Sequence, residues 1–355
     1  MMKILHTSDL HLKNNYDERW YTLINLLEIG ERENIDLFVI SGDLFDQNYN
    51  AECLRPECRD IFSDNNFEII LIPGNHDKDC FADGYVFGND VKVIREFGNP
   101  LVYEDIAVWG LPFEFITSQE VFSMLYSKKE EFIKFQTNIL LFHGDLIDAM
   151  YLGSQSAGEE GDRQYMPVKL SFFRDLDIQY VLGGHIHSNF GVWEIDTEKY
   201  FVYSGSPISI TRKETGNRKV NLFECGSRPS EYNLSTLYYE NLRITLDPLK
   251  KLDPISIIKD SLEKYPDYAR VLLNVDGFIN SGKIGFTEEE LTNEINELFE
   301  SVCEEINIKF QDIKSILQDD LFIKFSEKLK IKEIDEDEMK KITDIVIKAL
   351  MKILI

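Results

Sequence analysis

The sequence predicts an α/β fold. Three observations carry that reading: short apolar runs that end at Gly, Asp or His, an amphipathic stretch between the first two runs, and a strand-dense segment ahead of a boundary marked by two Asp-Pro pairs. Runs that are apolar throughout suit strands buried on both faces.

In chain order, residues 3–7 form the first run. A helix is expected over 17–34, with Asp17 as N-cap and Trp20, Leu23, Ile24 and Leu27 as one apolar stripe. Residues 37–40 run into Ser-Gly-Asp, and 67–72 into Pro-Gly-Asn-His-Asp. Further strands are expected at 106–111, 138–142, 180–182, 192–195, 201–203 and 220–223. The stretch 153–164 carries Ser, Gly and acidic residues without periodicity and reads as a long loop. Asp247-Pro248 and Asp253-Pro254 mark a boundary near 245–255. Beyond it a small α/β unit is expected, with strands at 271–275 and 306–310 and a helix at 288–302. The last 40 residues read as helical, and 336–355 place Met339, Ile342, Val346, Ala349, Leu350 and Ile353 on one face. The expected organisation is a domain over 1–245, a small α/β domain over 250–315 and a helical tail over 316–355.

The 355 residues, 43% hydrophobic, supply a substantial core and exclude disorder as the main state. Sixty-three acidic against 38 basic residues leave a net charge of -25, the opposite sign to a free-standing, sequence-independent nucleic-acid binder. A nucleic-acid role therefore needs a local positive source, such as metal ions or a basic partner. Cys53, Cys58, Cys80, Cys225 and Cys303 lack the spacing of a zinc ribbon or redox pair and are expected as reduced, packed thiols. The opening Met-Met-Lys-Ile-Leu-His has no apolar signal core, and no stretch is long enough to span a bilayer, so a soluble cytoplasmic protein is expected.

Five places set His, Asp or Asn beside Gly, or beside one another, at the end of an expected strand. They are Asp9-Leu10-His11, Gly42-Asp43-Leu44-Phe45-Asp46, Gly74-Asn75-His76-Asp77, His143-Gly144 and Gly184-His185-Ile186-His187. Taken alone, each has an ordinary reading as a turn or capped strand end. Together they hold five of the six histidines, and the sixth, His6, lies just before the first. In an extended segment residues two apart share a side, so Asp9 and His11 point together, as do His185 and His187. By the same parity His6 points away, as a packed histidine. Glycine before these groups lets the backbone turn sharply at the strand end. Imidazole, carboxylate and amide donors without thiolate suit manganese, iron, zinc or nickel. Seven candidate ligands are too many for one tetrahedral ion and suit two ions about 3.5–4 Å apart. One carboxylate must then bridge, and Asp43 is the best candidate.

The ordered set resembles the calcineurin-like metallophosphoesterase superfamily, and within it the SbcD nuclease-subunit family of double-strand-break repair. The opening Lys-Ile-Leu-His-Thr-Ser-Asp-Leu-His-Leu, residues 180–187, and Tyr203-Ser-Gly-Ser-Pro207 with Glu214 and Gly216 carry the likeness. It spans roughly residues 1–225, and 250–315 more loosely. The resemblance implies a two-sheet β-sandwich flanked by helices, with a small α/β capping domain and a C-terminal helical tail that docks an SbcC-type coiled-coil ATPase. It implies one ion held by Asp9, His11, Asp43 and His187, and another by Asp43, Asn75, His143 and His185, with manganese the expected metal. His76 would be the catalytic acid and Asp77 would help orient its ring. Asp46 stands where better-studied relatives often place a second catalytic histidine. The implied activity is exonuclease and endonuclease hydrolysis of DNA phosphodiesters by water activated between the ions, in a homodimer. Two ions bring +4 and Asp9 with Asp43 return -2, which supplies the local positive source. The alternatives are a phosphoesterase for small nucleotides or phosphoproteins, which shares every ligand, and a scaffold whose metals serve only folding.

Overall fold

The computed structural model describes residues 1–13, 16–46, 51–82, 84–150, 164–188, 190–250, 253–332 and 334–354. The loop expected at 153–164 lies almost wholly outside them. The chain folds as two compact units, Met1–Tyr238 and Tyr239–Ile355.

The first unit runs β1 (Lys3–Thr7), α1 (Glu18–Glu33), β2 (Leu37–Ser41), α2 (Ala51–Ile61), β3 (Glu68–Ile72), β4 (Val91–Val93), β5 (Leu101–Tyr103) and β6 (Ile106–Leu111). It continues with α3 (Ser118–Ser127), α4 (Lys129–Phe132), β7 (Thr137–His143), α5 (Ile147–Met150), β8 (Tyr180–Gly184), β9 (Gly191–Asp196), β10 (Lys199–Tyr203), β11 (Lys219–Glu224) and β12 (Glu231–Asn233). One sheet has the order β12-β11-β1-β2-β3-β4 and the other β5-β6-β7-β8-β10-β9. Within each, four strands run parallel: β1 to β4 in the first, β6, β7, β8 and β10 in the second. The remaining strands pair antiparallel outside them.

Strand alternation explains the layers. Ile4, Leu37, Val39, Ile70 and Ile72 of one sheet meet Val108, Ile139, Leu141, Leu182 and Val202 of the other in a shared core. Their neighbours on the opposite faces, Leu5, Phe38, Ile40, Ile69 and Leu71, pack under Trp20, Leu23, Leu26 and Leu27 of α1 and under Leu54 and Cys58 of α2. Trp109, Leu140, Phe142 and Phe201 do the same beneath Val121 and Leu125 of α3. The two-sheet sandwich flanked by helices is borne out. Asp17 caps α1, accepting from the N–H groups of Arg19 and Trp20. Cys53 departs from the packed-thiol expectation: it is exposed, because α2 turns Leu54 and Cys58 inward and leaves Cys53 on its outer side.

The second unit holds β13 (Tyr238–Leu246), α6 (Pro254–Leu262), β14 (Ala269–Ile279), α7 (Ser281–Ile284), α8 (Glu288–Phe299), β15 (Glu305–Asp312), α9 (Lys314–Leu317), α10 (Asp320–Lys330) and α11 (Glu336–Leu354). The sheet order is β13-β14-β15, with β14 and β15 parallel. The division falls ahead of the two Asp-Pro pairs because β13 belongs to this sheet. Asp253 caps α6 with Pro254 in its first turn, and Thr287 and Glu290 form a capping box on α8. The tail helix α11 buries Ile347 and sets Leu350 and Met351 against Phe278, Ile313 and Ile316. Of the expected face, Met339, Ile342, Val346 and Leu350 are half-buried and Ala349 is exposed, while the side chain of Ile353 lies outside the described residues; the most buried residue, Ile347, belongs to the wider apolar set of the helix. Among the described residues no helix is long and apolar enough to cross a membrane.

Candidate metal centre

The five motifs meet where β1, β2 and β3 of one sheet and β7 and β8 of the other end, at the carboxyl edge where open α/β folds place their ligands. The β1–β2 ladder continues past both strands: Asp9 N–H donates to Gly42 O (3.1 Å), His11 N–H to Asp43 O (3.0 Å) and Leu12 N–H to Leu44 O (2.8 Å). That continuation sets the Asp9-Leu10-His11 segment beside Asp43.

The backbone there is not extended, so the parity argument does not apply. Asp9 (φ 56°), His11 (φ 48°), Asp43 (φ 52°) and His185 (φ 95°) are all left-handed. Such conformations cost non-glycine residues about 1–3 kcal/mol each and persist where the surroundings over-determine them. The ligand candidates themselves turn the chain. Gly42 shares the left-handed geometry (φ 95°), but the role of Gly74 is clearance. A Cβ on Gly74 would lie 2.1 Å from Asp43 Oδ1, and one on Gly42 2.1 Å from His143 Nδ1.

Two donor groups result. His11 Nε2 lies 3.3 Å from His187 Nε2, and His187 Nε2 lies 3.6 Å from Asp9 Oδ1. Asn75 Oδ1 lies 2.9 Å from His143 Nε2 and 3.0 Å from His185 Nδ1. His185 and His187 therefore face different groups, against the expectation that they point together. Asp43 Oδ2 stands between the groups, 3.8 Å from His11 Nε2 and 3.3 Å from His143 Nε2, without a well-aligned hydrogen bond of its own. Asp43 Oδ1 accepts from the His76 N–H at 2.9 Å. Asp9 is fixed by Ser8 Oγ–H (2.5 Å) and by the His185 N–H (3.0 Å to Oδ2).

Burial works to raise the Asp43 carboxyl, but the imidazoles of His143, His11 and His76 outweigh it and hold the group far below the usual carboxylate range. Burial likewise opposes protonation of His143, yet Asp43 pushes that imidazole up to about 10. Ring nitrogens, an amide oxygen and carboxylates thus converge on shared points. Such a donor set fits divalent cations.

His76 approaches His11 edge-on, with ring centroids 4.6 Å apart, and its ligand atom lies close to those of His11 and Asp43. Asp77 is fully buried, and its carboxyl is pushed up to about 7 by burial and the charge of Asp43. Its oxygens accept from Gly74 N–H (2.7 Å) and Phe45 N–H (3.2 Å), so it holds the turn that carries His76. Asp46 sits behind His11, 4.0 Å from Nδ1, and pairs with Lys13 (3.2 Å) and Arg19 (3.5 Å). His6 is fully buried away from these groups. Sequence reasoning passed over Asp145, 3.5 Å from His185 Nε2, although it follows His143-Gly144 as Asp43 follows Gly42.

A family model described as calcineurin-like phosphoesterase matches residues 2–189. The chain belongs to the calcineurin-like phosphoesterase family. This calcineurin-like phosphoesterase is a metal-dependent phosphodiesterase, and its family membership implies divalent-metal binding. It is 25% identical over 292 residues to the SbcD component of the nuclease SbcCD of Staphylococcus saprophyticus, covering 74% of this chain and 73% of that one. It is 26% identical over 276 residues to the DNA double-strand break repair protein Mre11 of Saccharolobus solfataricus, covering 70% and 65%. A solved Thermus thermophilus structure aligns at a TM-score of 0.43 and 13% identity over 65% of this chain and 98% of that one. The resemblance noted from the motifs is borne out.

Proposed function

We propose that this phosphoesterase is a DNA nuclease subunit that holds two divalent ions, with manganese as the working metal, and acts with an SbcC-type coiled-coil ATPase. The observation that carries the two-ion reading is Asp43 Oδ2, set between His11 Nε2 and His143 Nε2 at the junction of two donor groups. Asp9, His11 and His187 would hold one ion, and Asn75, His143 and His185 the other, with Asp43 shared. When bound, the ions supply Lewis-acid activation and neutralise phosphate oxygens. His76 gives a proton to the departing alkoxide, and its backbone tether to Asp43 keeps the imidazole at the edge of the centre. Asp77 holds that turn, and Asp46 with Lys13 and Arg19 steadies His11 from behind. The names of the two nuclease relatives support DNA as substrate, and so does the α/β unit at 255–315, whose sequence resembles the capping domain of nuclease members.

Asp43→Asn tests the bridge: metal analysis should show neither ion tightly held, since one amide oxygen bridges two cations poorly. Two tightly bound ions in that variant refute the assignment. A manganese-dependent assay on short duplex and single-stranded DNA, with bis-p-nitrophenyl phosphate alongside, tests the substrate. Cleavage of the small ester with no DNA cut in either form removes the nuclease reading and leaves a small-molecule phosphodiesterase.

A further inference from the structure

Glu214 lies outside both donor groups, on a loop that the proposed chemistry does not use. It is nonetheless buried among polar partners. Oε1 lies 3.3 Å from His187 Nδ1 and accepts from Thr211 Oγ–H at 3.2 Å. Oε2 accepts from Ile210 N–H at 2.8 Å and lies 3.3 Å from Ser206 Oγ. Arg218, buried on the same loop, donates to the carbonyl of His187, to Ser206 O (3.0 Å) and to Ser206 Oγ (2.9 Å). One loop therefore holds both the ring and the main chain of His187.

An acceptor on Nδ1 keeps the proton there and leaves the lone pair on Nε2. Nε2 is the atom that faces His11 and Asp9. We propose that Glu214 is a positioning residue that fixes the tautomer and aim of His187 and so sets the affinity of one of the two ions selectively. The inference rests on the two-ion reading above. It gives a task to Glu214 in the segment that opens with Tyr203-Ser-Gly-Ser-Pro207, whose Ser204 Oγ also lies 3.3 Å from the Ser8 Oγ that holds Asp9. Loss of such an outer hydrogen bond typically weakens metal binding 10–100-fold.

The test uses the full chain, titrated calorimetrically with manganese alone, together with nitrogen-15 histidine NMR of the metal-free protein. Glu214→Leu should weaken one ion 10–100-fold, leave the other at wild-type affinity, and shift His187 away from the Nδ1–H tautomer. Glu214→Gln, which keeps an oxygen for the Nδ1–H, should recover most of the loss. If Glu214→Leu does not fold, Glu214→Asp, with its shorter reach, should show the same selective weakening. Both ions held at wild-type affinity with an unchanged tautomer would overturn the proposal. So would equal weakening of both ions without recovery in Glu214→Gln, the mark of a purely structural residue. Wild-type protein that binds no manganese would instead refute the two-ion reading, while the metal-free spectra still report on the Glu214–His187 pair.

Discussion

His76 is tied to Asp43 through its backbone, and a substitution can exploit this. His76→Ala keeps the N–H that donates to Asp43 Oδ1, so the carboxylate stays where it is. Metal analysis should find both ions retained, while turnover falls about 10²–10⁴-fold, the usual worth of a general acid. Loss of an ion together with activity would make His76 a ligand, which its closeness to His11 and Asp43 makes the sharp alternative. His6 gives a pH signature unrelated to catalysis. Burial lowers its imidazole to about 3, opposed only in part by the Gly183 backbone, against 6.5 when unfolded. Above pH 6.5 both states are neutral at this site and it has no effect. As pH falls toward 3 the unfolded chain takes up a proton that the folded chain refuses, and stability drops by up to ~1.4 kcal/mol per pH unit. Urea unfolding between pH 7 and 5 should show a shallower pH dependence for His6→Leu than for the wild type, and identical slopes would refute the assignment.

At the scale of elements, α11 is the segment on which packing and docking compete. Its inner side lies against Phe278, Ile313 and Ile316, which fits a helix seated on its own unit. Its outer side keeps Ile345 66% exposed, and Leu321 and Ile331 of the neighbouring helical stretch are exposed too. Ile345→Glu should leave the unfolding free energy within about 0.5 kcal/mol of wild type, since the side chain packs on little. It should abolish co-purification of the proposed coiled-coil ATPase while sparing small-ester hydrolysis. Undiminished pull-down would confine α11 to packing. The elements also show where the sequence was legible. Runs 3–7, 37–40 and 67–72 became strands because their apolar residues face a helix layer on one side and the second sheet on the other. The site was legible because its groups follow directly on those strands. The left-handed turns at Asp9, His11, Asp43 and His185 were not, because Asp and His enter that region only occasionally and nothing in the local sequence says which of them does so. The hold of Glu214 on His187 was hidden too, because it depends on how a later loop folds back.

At the scale of the whole molecule, the proposed nuclease role would require a chain of net charge -25 to bring a polyanion to its metal centre. On that reading the centre, once loaded, would attract phosphate, while the net negative charge of the chain would repel the rest of the duplex. Salt screens the longer-range repulsion first. In the absence of any partner, KM for a long duplex should therefore fall as monovalent salt rises from about 20 to about 150 mM, a range over which the Debye length shrinks from about 20 to 8 Å. A basic nuclease would lose affinity over that range. A KM that rises steeply with salt would show that this chain carries its own cationic track for DNA.

The donor groups are divided between the two sheets, and this has a consequence for biosynthesis. A chain emerging from the ribosome as far as β4 already presents Asp9, His11, Asp43 and Asn75, but none of His143, His185 or His187. Neither donor group is complete until β8 has been made and the second sheet has closed on the first. Glu214 and the returning strand β11, which pairs with β1, arrive later still. A metal centre assembled this way would stay unarmed on nascent chains that end before β8, and ion loading would become a report that the second sheet has been made and closed on the first.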